Sequence, residues 1–320
     1  MDRTIIAENL VKQYDKGFRA VDGVSFRVES GEVFGFLGPN GAGKSTVVTM
    51  LTTLGLPTEG RALVGGYDIV KDAQAVRRIA GVALQEIGID PMMKSLELLT
   101  IQAQLFGMSR KTARQRADEL LQIVKLSEFT DRPVGKYSGG MRRRLDLALA
   151  LVHEPSILFL DEPTTGLDPA SRRDIWAEVR RLNRERGMTI FLTTQYLEEA
   201  DLLGDRIAII DKGKIVAEGK PNDLKAAIGN ESINLTFESP ENAELAQLIL
   251  QDLSKRSHKD RATVRLYLPE AASAVPAVVN RLTERNIKPT MLTLTQPTLD
   301  DVFLEVTGQS FEDDAEDKSA

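Results

Sequence analysis

The chain has 320 residues, 42% hydrophobic and 28% charged, the balance of a globular protein with room for two domains and a sizeable core. It has no cysteine and two histidines, His153 and His258, which excludes disulfides, thiolate metal sites and cysteine nucleophiles and argues against a histidine-rich metal centre or a Ser-His-Asp triad. The formal net charge is −6, and the acids Glu312, Asp313, Asp314, Glu316 and Asp317 against Lys318 contribute −4 of it, leaving about −2 elsewhere and no basic field that would invite nucleic acid.

Taken in chain order, Met1 to Leu10 carries Asp2, Arg3 and Glu8 and lacks the apolar stretch of a leader. The first 25 or so residues alternate as strands do, with Ile5 and Ala7, then Val24, Phe26 and Val28. The apolar run Val33 to Leu37 stops at a glycine-rich turn, and a helical pattern follows from Lys44 to Leu54. A second helical pattern runs from Ser95 to Val124, with Leu96, Leu99, Ala103 and Phe106 on one face. Residues 157–160, Ile-Leu-Phe-Leu, read as a parallel strand buried on both faces, and Thr189 to Thr194 and Arg206 to Asp211 repeat that form. These elements predict a doubly wound α/β sheet interrupted by a helical insertion. No apolar run reaches the roughly 18 residues that span a bilayer.

Around Asn222 the pattern changes. Ile233, Leu235 and Phe237 alternate, a helix is expected over Ala243 to Leu253, and Val264, Leu266 and Leu268 alternate again. A further helix from about Val275 to Arg285 would hold Pro276 in its first turn, and a strand near Met291 to Leu294 would complete a small βαβαβ-like unit. The expected organisation is therefore a domain over 1–222 with a helical subdomain at about 87–150, a small α+β domain over 223–308, and a solvated acidic tail over 309–320.

Three stretches carry chemistry. Gly38-Pro39-Asn40-Gly41-Ala42-Gly43-Lys44-Ser45-Thr46 matches G-x-x-x-x-G-K-[ST] between a strand and a helix. Its glycines let consecutive N–H groups turn inward as an anion nest, and the helix N-terminus adds its dipole. Lys44 would reach the β- and γ-phosphates of ATP, and the Ser45 hydroxyl would ligate Mg²⁺. At the end of the second buried run stand Asp161 and Glu162, the first suited to organise Mg²⁺ and the second to polarise the water that attacks the γ-phosphate; helix capping is the plainer reading of both acids. The third stretch is Tyr137-Ser-Gly-Gly-Met-Arg-Arg-Arg-Leu-Asp-Leu-Ala-Leu-Ala150, where Ser138, Gly139 and Gly140 open a second anion-ready helix. Arg142 to Arg144 read as a solvated helix face.

This third stretch resembles the signature sequence of ABC ATPases, and Ile5 to about Pro221 resembles an ABC nucleotide-binding domain, which implies an antiparallel β subdomain and a helical subdomain beside the core sheet. The resemblance implies that Ser138, Gly139 and Gly140 touch the γ-phosphate held by the loop of an opposite subunit, so that two copies close on two Mg·ATP. It further implies Tyr14, or Phe18 in its place, as the aromatic that stacks on adenine. Gln85 stands as the glutamine that senses Mg²⁺ and couples to a membrane subunit, and Asp168 as the aspartate of the loop crossing the dimer interface, where capping of the next helix is also open. Tyr137 stands where the family usually has leucine, Met141 where it has glutamine, and Gln195 where it has histidine.

Gln195 within Thr193-Thr194-Gln195-Tyr196-Leu197-Glu198-Glu199-Ala200-Asp201, the Ser-Gly-Gly-Met-Arg-Arg-Arg-Leu-Asp-Leu string and the terminal Gln296-Pro-Thr-Leu-Asp-Asp-Val-Phe-Leu-Glu-Val-Thr-Gly308 resemble the daunorubicin-resistance type of ABC exporter subunit. That implies an ATPase on the cytoplasmic face of the membrane, driving efflux of a drug-like or hydrophobic compound through a separate ABC-2-type permease engaged by the region from Ile87 to Lys94. Thr298 is expected to cap a helix with Leu299, Val302, Phe303 and Val306 on its apolar side, packed on its own domain or docked at the dimer interface. The competing readings are an exporter ATPase for a lipid or polysaccharide, a soluble ABC protein acting on ribosomes or DNA, and a small-molecule kinase. A single glycine loop, the lack of long coiled coils or zinc motifs, and the Ser138 signature argue against the last two.

Overall fold

The computed structural model describes residues 4–14, 17–85, 88–229, 231–254 and 256–308; the acidic tail and Ile87 of the expected coupling region lie outside them. The chain divides into two compact units, the first ending at Glu218 and the second beginning at Gly219. Among the described residues no helix is long and apolar enough to cross a membrane.

The first unit is built on a six-stranded sheet. Its strands, in chain order, are β3 (Val33–Leu37), β6 (Ala80–Ala83), β7 (Ile157–Asp161), β8 (Thr189–Thr194), β9 (Arg206–Asp211) and β10 (Lys214–Gly219), arranged in the order β10-β9-β3-β8-β7-β6. From β9 to β6 the pairing is parallel. Alternate residues of these strands feed two cores. Phe34, Phe36, Ile157, Phe159 and Phe191 point to one side; Val33, Leu158, Leu160, Ile190 and Leu192 point to the other. This two-sided burial is why the strands read as unbroken apolar runs.

The first core is closed by α1 (Lys44–Leu51) and by a four-stranded antiparallel sheet of β1 (Ile5–Gln13), β2 (Arg19–Val28), β4 (Glu59–Val64) and β5 (Tyr67–Asp68), in the order β2-β1-β4-β5. Phe26 reaches from β2 into the aromatic cluster, 5.6 Å from the ring centres of Phe34, Phe36 and Phe191. The second core is closed by α3 (Ser95–Leu105), α4 (Arg110–Ile123), α5 (Gly139–Ala150) and α6 (Pro169–Arg186). The short α2 (Ala73–Ile79) leads into β6, and α7 (Leu197–Leu203) follows β8.

Two helical expectations in this unit need correction. The helix from Lys44 ends at Leu51, where Thr52 leaves helical geometry and its hydroxyl bonds back to the Val48 carbonyl. The stretch from Ser95 to Val124 is two helices, because Gly107 takes φ +88 and Ser109 caps α4 through the Thr112 amide; a single periodicity hid the break.

The second unit contains α8 (Pro221–Ile228), β11 (Glu231–Thr236), α9 (Pro240–Leu250), β12 (Arg256–Asp260), β13 (Thr263–Leu268), α10 (Ala271–Glu284), β14 (Met291–Thr295) and α11 (Leu299–Thr307). Its sheet is antiparallel in the order β12-β13-β11-β14, so between α8 and α11 the unit is a βαββαβ split of ferredoxin-like type, with one strand more than the alternation indicated. The helix of Pro276 starts at Ala271, which puts the proline inside it and not in the first turn. Thr298 caps α11 with Asp301 in a reciprocal capping box, and Leu299, Val302 and Phe303 are buried while Val306 is 39% exposed.

Candidate functional site: a phosphate loop and two carboxylates

The site lies where open α/β sheets bind ligands, at the carboxyl ends of β3, β8 and β7. The strands are in register so that Leu37 pairs with Thr194, and Thr193 in turn pairs with Asp161. Residues leaving β3 and β7 therefore flank those leaving β8.

The loop 38–46 wraps the N-terminus of α1. Gly43 caps it at φ +107, and a Cβ there would stand 2.3 Å from the Ala20 carbonyl oxygen; at Gly38 it would stand 2.4 Å from that of Ile210. Both positions therefore require glycine. Asn40 and Gly41 face solvent, Pro39 and Ala42 are buried, and Thr46 is half-buried in the first turn. Lys44 folds back over the loop, donating to the carbonyls of Gly38 at 2.8 Å and Pro39 at 3.0 Å.

Lys44 also meets the carboxylates. Its Nζ lies 3.0 Å from Glu162 Oε1, while Ser45 Oγ donates to Asp161 Oδ1 at 3.1 Å. Thr193 locks the two acids from the strand between: its hydroxyl donates to Asp161 Oδ1 at 2.5 Å and accepts from the Glu162 amide at 3.0 Å. Glu162 takes φ +47, an unfavourable backbone conformation for a non-glycine residue, and such geometry recurs at functional sites. Its other oxygen accepts from Thr165 Oγ1 at 3.1 Å and from Gln85 Nε2 at 3.4 Å. Gln195 Nε2 lies 3.5 Å from Thr165 Oγ1, one link removed from the carboxylate.

A hydroxyl and a carboxylate oxygen at the phosphate loop fit Mg²⁺, which is held by one or two protein oxygens together with phosphate oxygens and water. Among the described residues no group of three or more His, Asp or Glu side chains makes an all-protein cage. Ser45 and Asp161 could hold the ion, with the Gln85 carbonyl free to turn toward it.

The remaining expected residues form other faces of the unit. Ser138 caps α5 by accepting from the Met141 amide at 3.2 Å, and it and Gly139 are exposed. Gly140 is buried against the first turn of α6, where an added Cβ would stand 2.5 Å from Ser171 Oγ. Asp168 caps that helix, accepting from the Ala170 and Ser171 amides at 3.0 Å and from Ser171 Oγ at 2.6 Å, and Pro169 sits at its first position. The Ser138–Gly140 turn and Asp168 are thus joined through Ser171. The Tyr14 amide donates to the Phe18 carbonyl; both rings are exposed, and Lys12 Nζ lies 5.3 Å from the Tyr14 centroid. Either ring is open to a planar base.

Four residues were not foreseen in the roles they take. Thr193 and Thr165 orient the acids, and in sequence they are ordinary strand and turn residues. Arg143 was expected on a solvated face and is 5% exposed. Burial works against its charge, and the carboxylates of Asp146, Asp161, Glu199 and Glu162 around it favour it. The spacing Gly140, Arg143, Leu147 marks one inward stripe of α5, the signal that would have turned Arg143 inward. Glu199, expected only as part of a string, is wholly buried and accepts from Trp176 Nε1 at 2.7 Å and Thr164 Oγ1 at 2.9 Å; burial holds its carboxyl above the usual range against these bonds.

Residues 21–165 match the family model described as ABC transporter, and residues 219–307 match the one described as the C-terminal domain of DrrA1-3-like ATP-binding proteins. Over 96% of its length the chain is 42% identical to the daunorubicin resistance ATP-binding protein DrrA3 of Streptomyces coeruleorubidus, 96% of which is covered. It is 41% identical over 99% of its length to the daunorubicin/doxorubicin resistance ATP-binding protein DrrA of Streptomyces peucetius, covering 96% of that protein, and 38% identical over 96% of its length to the Nod factor export ATP-binding protein I of Ralstonia nicotianae, covering 94%. Among solved structures, 68% of the chain superposes on 98% of the ATP-binding cassette MJ0796, in a dimeric structure bound to ADP and Pi, with TM-score 0.63 and 28% identity.

Proposed function

The chain belongs to the ABC transporter family, among the daunorubicin- and doxorubicin-resistance ATP-binding proteins, and on that premise we propose that it is the ATP-hydrolysing subunit of a drug exporter, dimerising around Mg·ATP to drive a separate ABC-2-type permease from the cytoplasmic face of the membrane. The observation that carries the reading is the junction at which Lys44 and Ser45 of one βα turn meet Asp161 and Glu162 of another strand.

The steps follow from the residues. ATP is received by the inward N–H groups of 38–46 and the N-terminus of α1, with Tyr14 or Phe18 against the base. Lys44 turns from Glu162 and the loop carbonyls to the β- and γ-phosphates, trading one anionic partner for another. Ser45 and Asp161 would hold Mg²⁺, which would supply neutralisation of the phosphate charge. Glu162, released from Lys44 and still held by Thr165, accepts a hydrogen bond from the attacking water; Gln195 donates toward the γ-phosphate through its amide. Ser138 and Gly139 of a second copy present the exposed N-terminus of α5 to the same phosphate, and Asp168 lies beside them at that interface.

The permease reading is supported by a groove of about 410 Å³ in the first unit, with Leu84, Ile89, Phe106 and Leu149 among its apolar lining and Asp146 and His153 among its polar groups. It begins beside Gln85 and suits a short amphipathic helix of the membrane subunit. Efflux of an antibiotic-like compound is supported by the relatives' names; the Nod factor export relative supports a different cargo as the second reading, with a lipid or polysaccharide as the class.

Affinity purification of the tagged full chain from solubilised membranes tests the assignment. Recovery of a polytopic ABC-2-type protein, released from the chain by groove substitutions, is expected. Recovery of ribosomes or nucleic acid, with no membrane protein, would overturn it.

A further inference from the structure

Arg143 ties α5 to two segments that the sequence keeps far from it, the one ending in Leu84 and the one from Asp161 to Pro163. Its Nε donates to the Pro163 carbonyl at 2.9 Å, Nη2 to the Asp161 carbonyl at 2.8 Å, and Nη1 to the Leu84 carbonyl and, at 3.0 Å, to Asp146 Oδ2. The three carbonyls belong to the residue before Gln85 and to the residues on either side of Glu162 along the chain. A planar, permanently charged fork suits this task, since it presents several donors in fixed directions. The cost of burying the guanidinium is offset only while the carbonyls and Asp146 stay in place.

Asp146 adds a direction to this arrangement. One face of its carboxylate is held by Arg143, and the side chain also lines the groove of the first unit. Arg143 itself stands five residues after Ser138 on α5, about 7.5 Å along the helix. One side chain therefore lies between the groove, the exposed Ser138 turn and the backbone on both sides of Glu162.

We propose that Arg143 is a positioning residue that holds the ends of β6 and β7 in the register hydrolysis requires, and that Asp146 carries that hold to the groove where a partner docks. The proposal rests on the ATPase reading above for its purpose, and its geometry makes a claim independent of hydrolysis. If Arg143 fixes these segments, loosening it frees the Glu162 amide from Thr193 and the Thr165 amide from the Glu162 carbonyl, while β3 and β8 stay closed.

Hydrogen exchange on the full chain tests this, with Arg143→Lys, which keeps charge without the fork, and Arg143→Gln as a second variant. Exchange at Glu162 and Thr165 is expected to quicken at least tenfold in both variants, with β3 and β8 unchanged. Asp146→Asn should move the same amides in the same direction by a smaller factor. In steady-state hydrolysis Arg143→Lys should lower kcat at least tenfold and leave KM within about threefold. Unchanged exchange at the two amides, or exchange quickened equally through the whole unit, would overturn the proposal. Wild-type protein that fails to bind ATP would overturn the ATPase reading and leave the exchange result standing by itself.

Discussion

Lys44 Nζ lies 3.0 Å from Glu162 Oε1, and the two side chains are 3% and 4% exposed. The cation proposed to meet the γ-phosphate is thus paired with the carboxylate proposed to polarise water. A buried pair of this kind adds little net stability, yet losing one partner strands the other. In the proposed reaction nucleotide would resolve the pair by giving Lys44 a different anion, tying readiness of Glu162 to the presence of substrate.

Lys44→Ala removes a charge-assisted donor worth about 1.5–3 kcal/mol, so the dissociation constant for ATP should rise about 10- to 100-fold in a fluorescent-nucleotide titration. Without nucleotide the same variant leaves Glu162 buried and unpaired, and urea unfolding should show a loss of about 3 kcal/mol. Lys44→Ala combined with Glu162→Gln should recover most of that loss. Additive losses in the double variant would show that the pair is not coupled.

Gln195 reaches Glu162 only through Thr165, at 3.5 Å and then 3.1 Å. A neutral amide that donates one such bond is worth about 1 kcal/mol, so Gln195→Ala should lower kcat about fivefold and leave ATP affinity unchanged. Gln195→His should retain hydrolysis. A wild-type protein that binds ATP without hydrolysing it, and that Gln195→His activates, would contradict the role given to the amide.

Burial pushes Asp146 up to about 6, and the attraction of Arg143 only partly opposes it; His153 and Arg77 are the other ionisable groups of its groove. The folded chain binds the proton more tightly than the unfolded chain, whose aspartate titrates near 3.8. The contribution to stability is full below about pH 4 and is lost as pH rises toward and past 6. Between pH 5 and pH 7 the wild type should lose about 1 kcal/mol that Asp146→Asn does not lose. Parallel stability curves for the two proteins over that range would refute this assignment.

Asp301 behaves in the opposite sense. Burial would raise its carboxyl, but the Thr298 amide, the Tyr267 hydroxyl and Arg265 together hold it below the ordinary range. This contribution is present above about pH 4 and is lost as pH falls through the depressed value. Asp301 also fastens α11, bonding to Thr298, Tyr267 and Arg265 at once. Asp301→Asn should cost about 2–3 kcal/mol at pH 7 and flatten the acid limb of unfolding followed through Tyr267. An unchanged acid limb would show that the carboxylate is not ionised in the folded unit.

Most of the candidate site was legible because its chemistry is local. A glycine loop between strand and helix, and two acids ending an apolar strand, need little tertiary context to be read. The buried strands were legible for a similar reason, since both faces are apolar and nothing interrupts them. What escaped depends on partners distant in sequence. Strand β12, Arg-Ser-His-Lys-Asp, has no apolar face and is a strand because β13 pairs with it along its length. Arg143 sits in a run of three arginines, of which only the middle one turns inward to carbonyls from residues 84, 161 and 163. Thr193 matters because β8 lies between β3 and β7, an order that no single stretch of the chain reveals.

The central claim is that one copy's Lys44 loop is completed by another's Ser138 turn. Sedimentation of the full-length Glu162→Gln protein with Mg·ATP tests it most directly, because on the proposed role of Glu162 that substitution would keep the nucleotide from being spent. A dimer that forms only with Mg·ATP, and that Ser138→Arg abolishes without loss of ATP binding, is the predicted result. A species that stays monomeric with ATP fully bound at micromolar protein would contradict it.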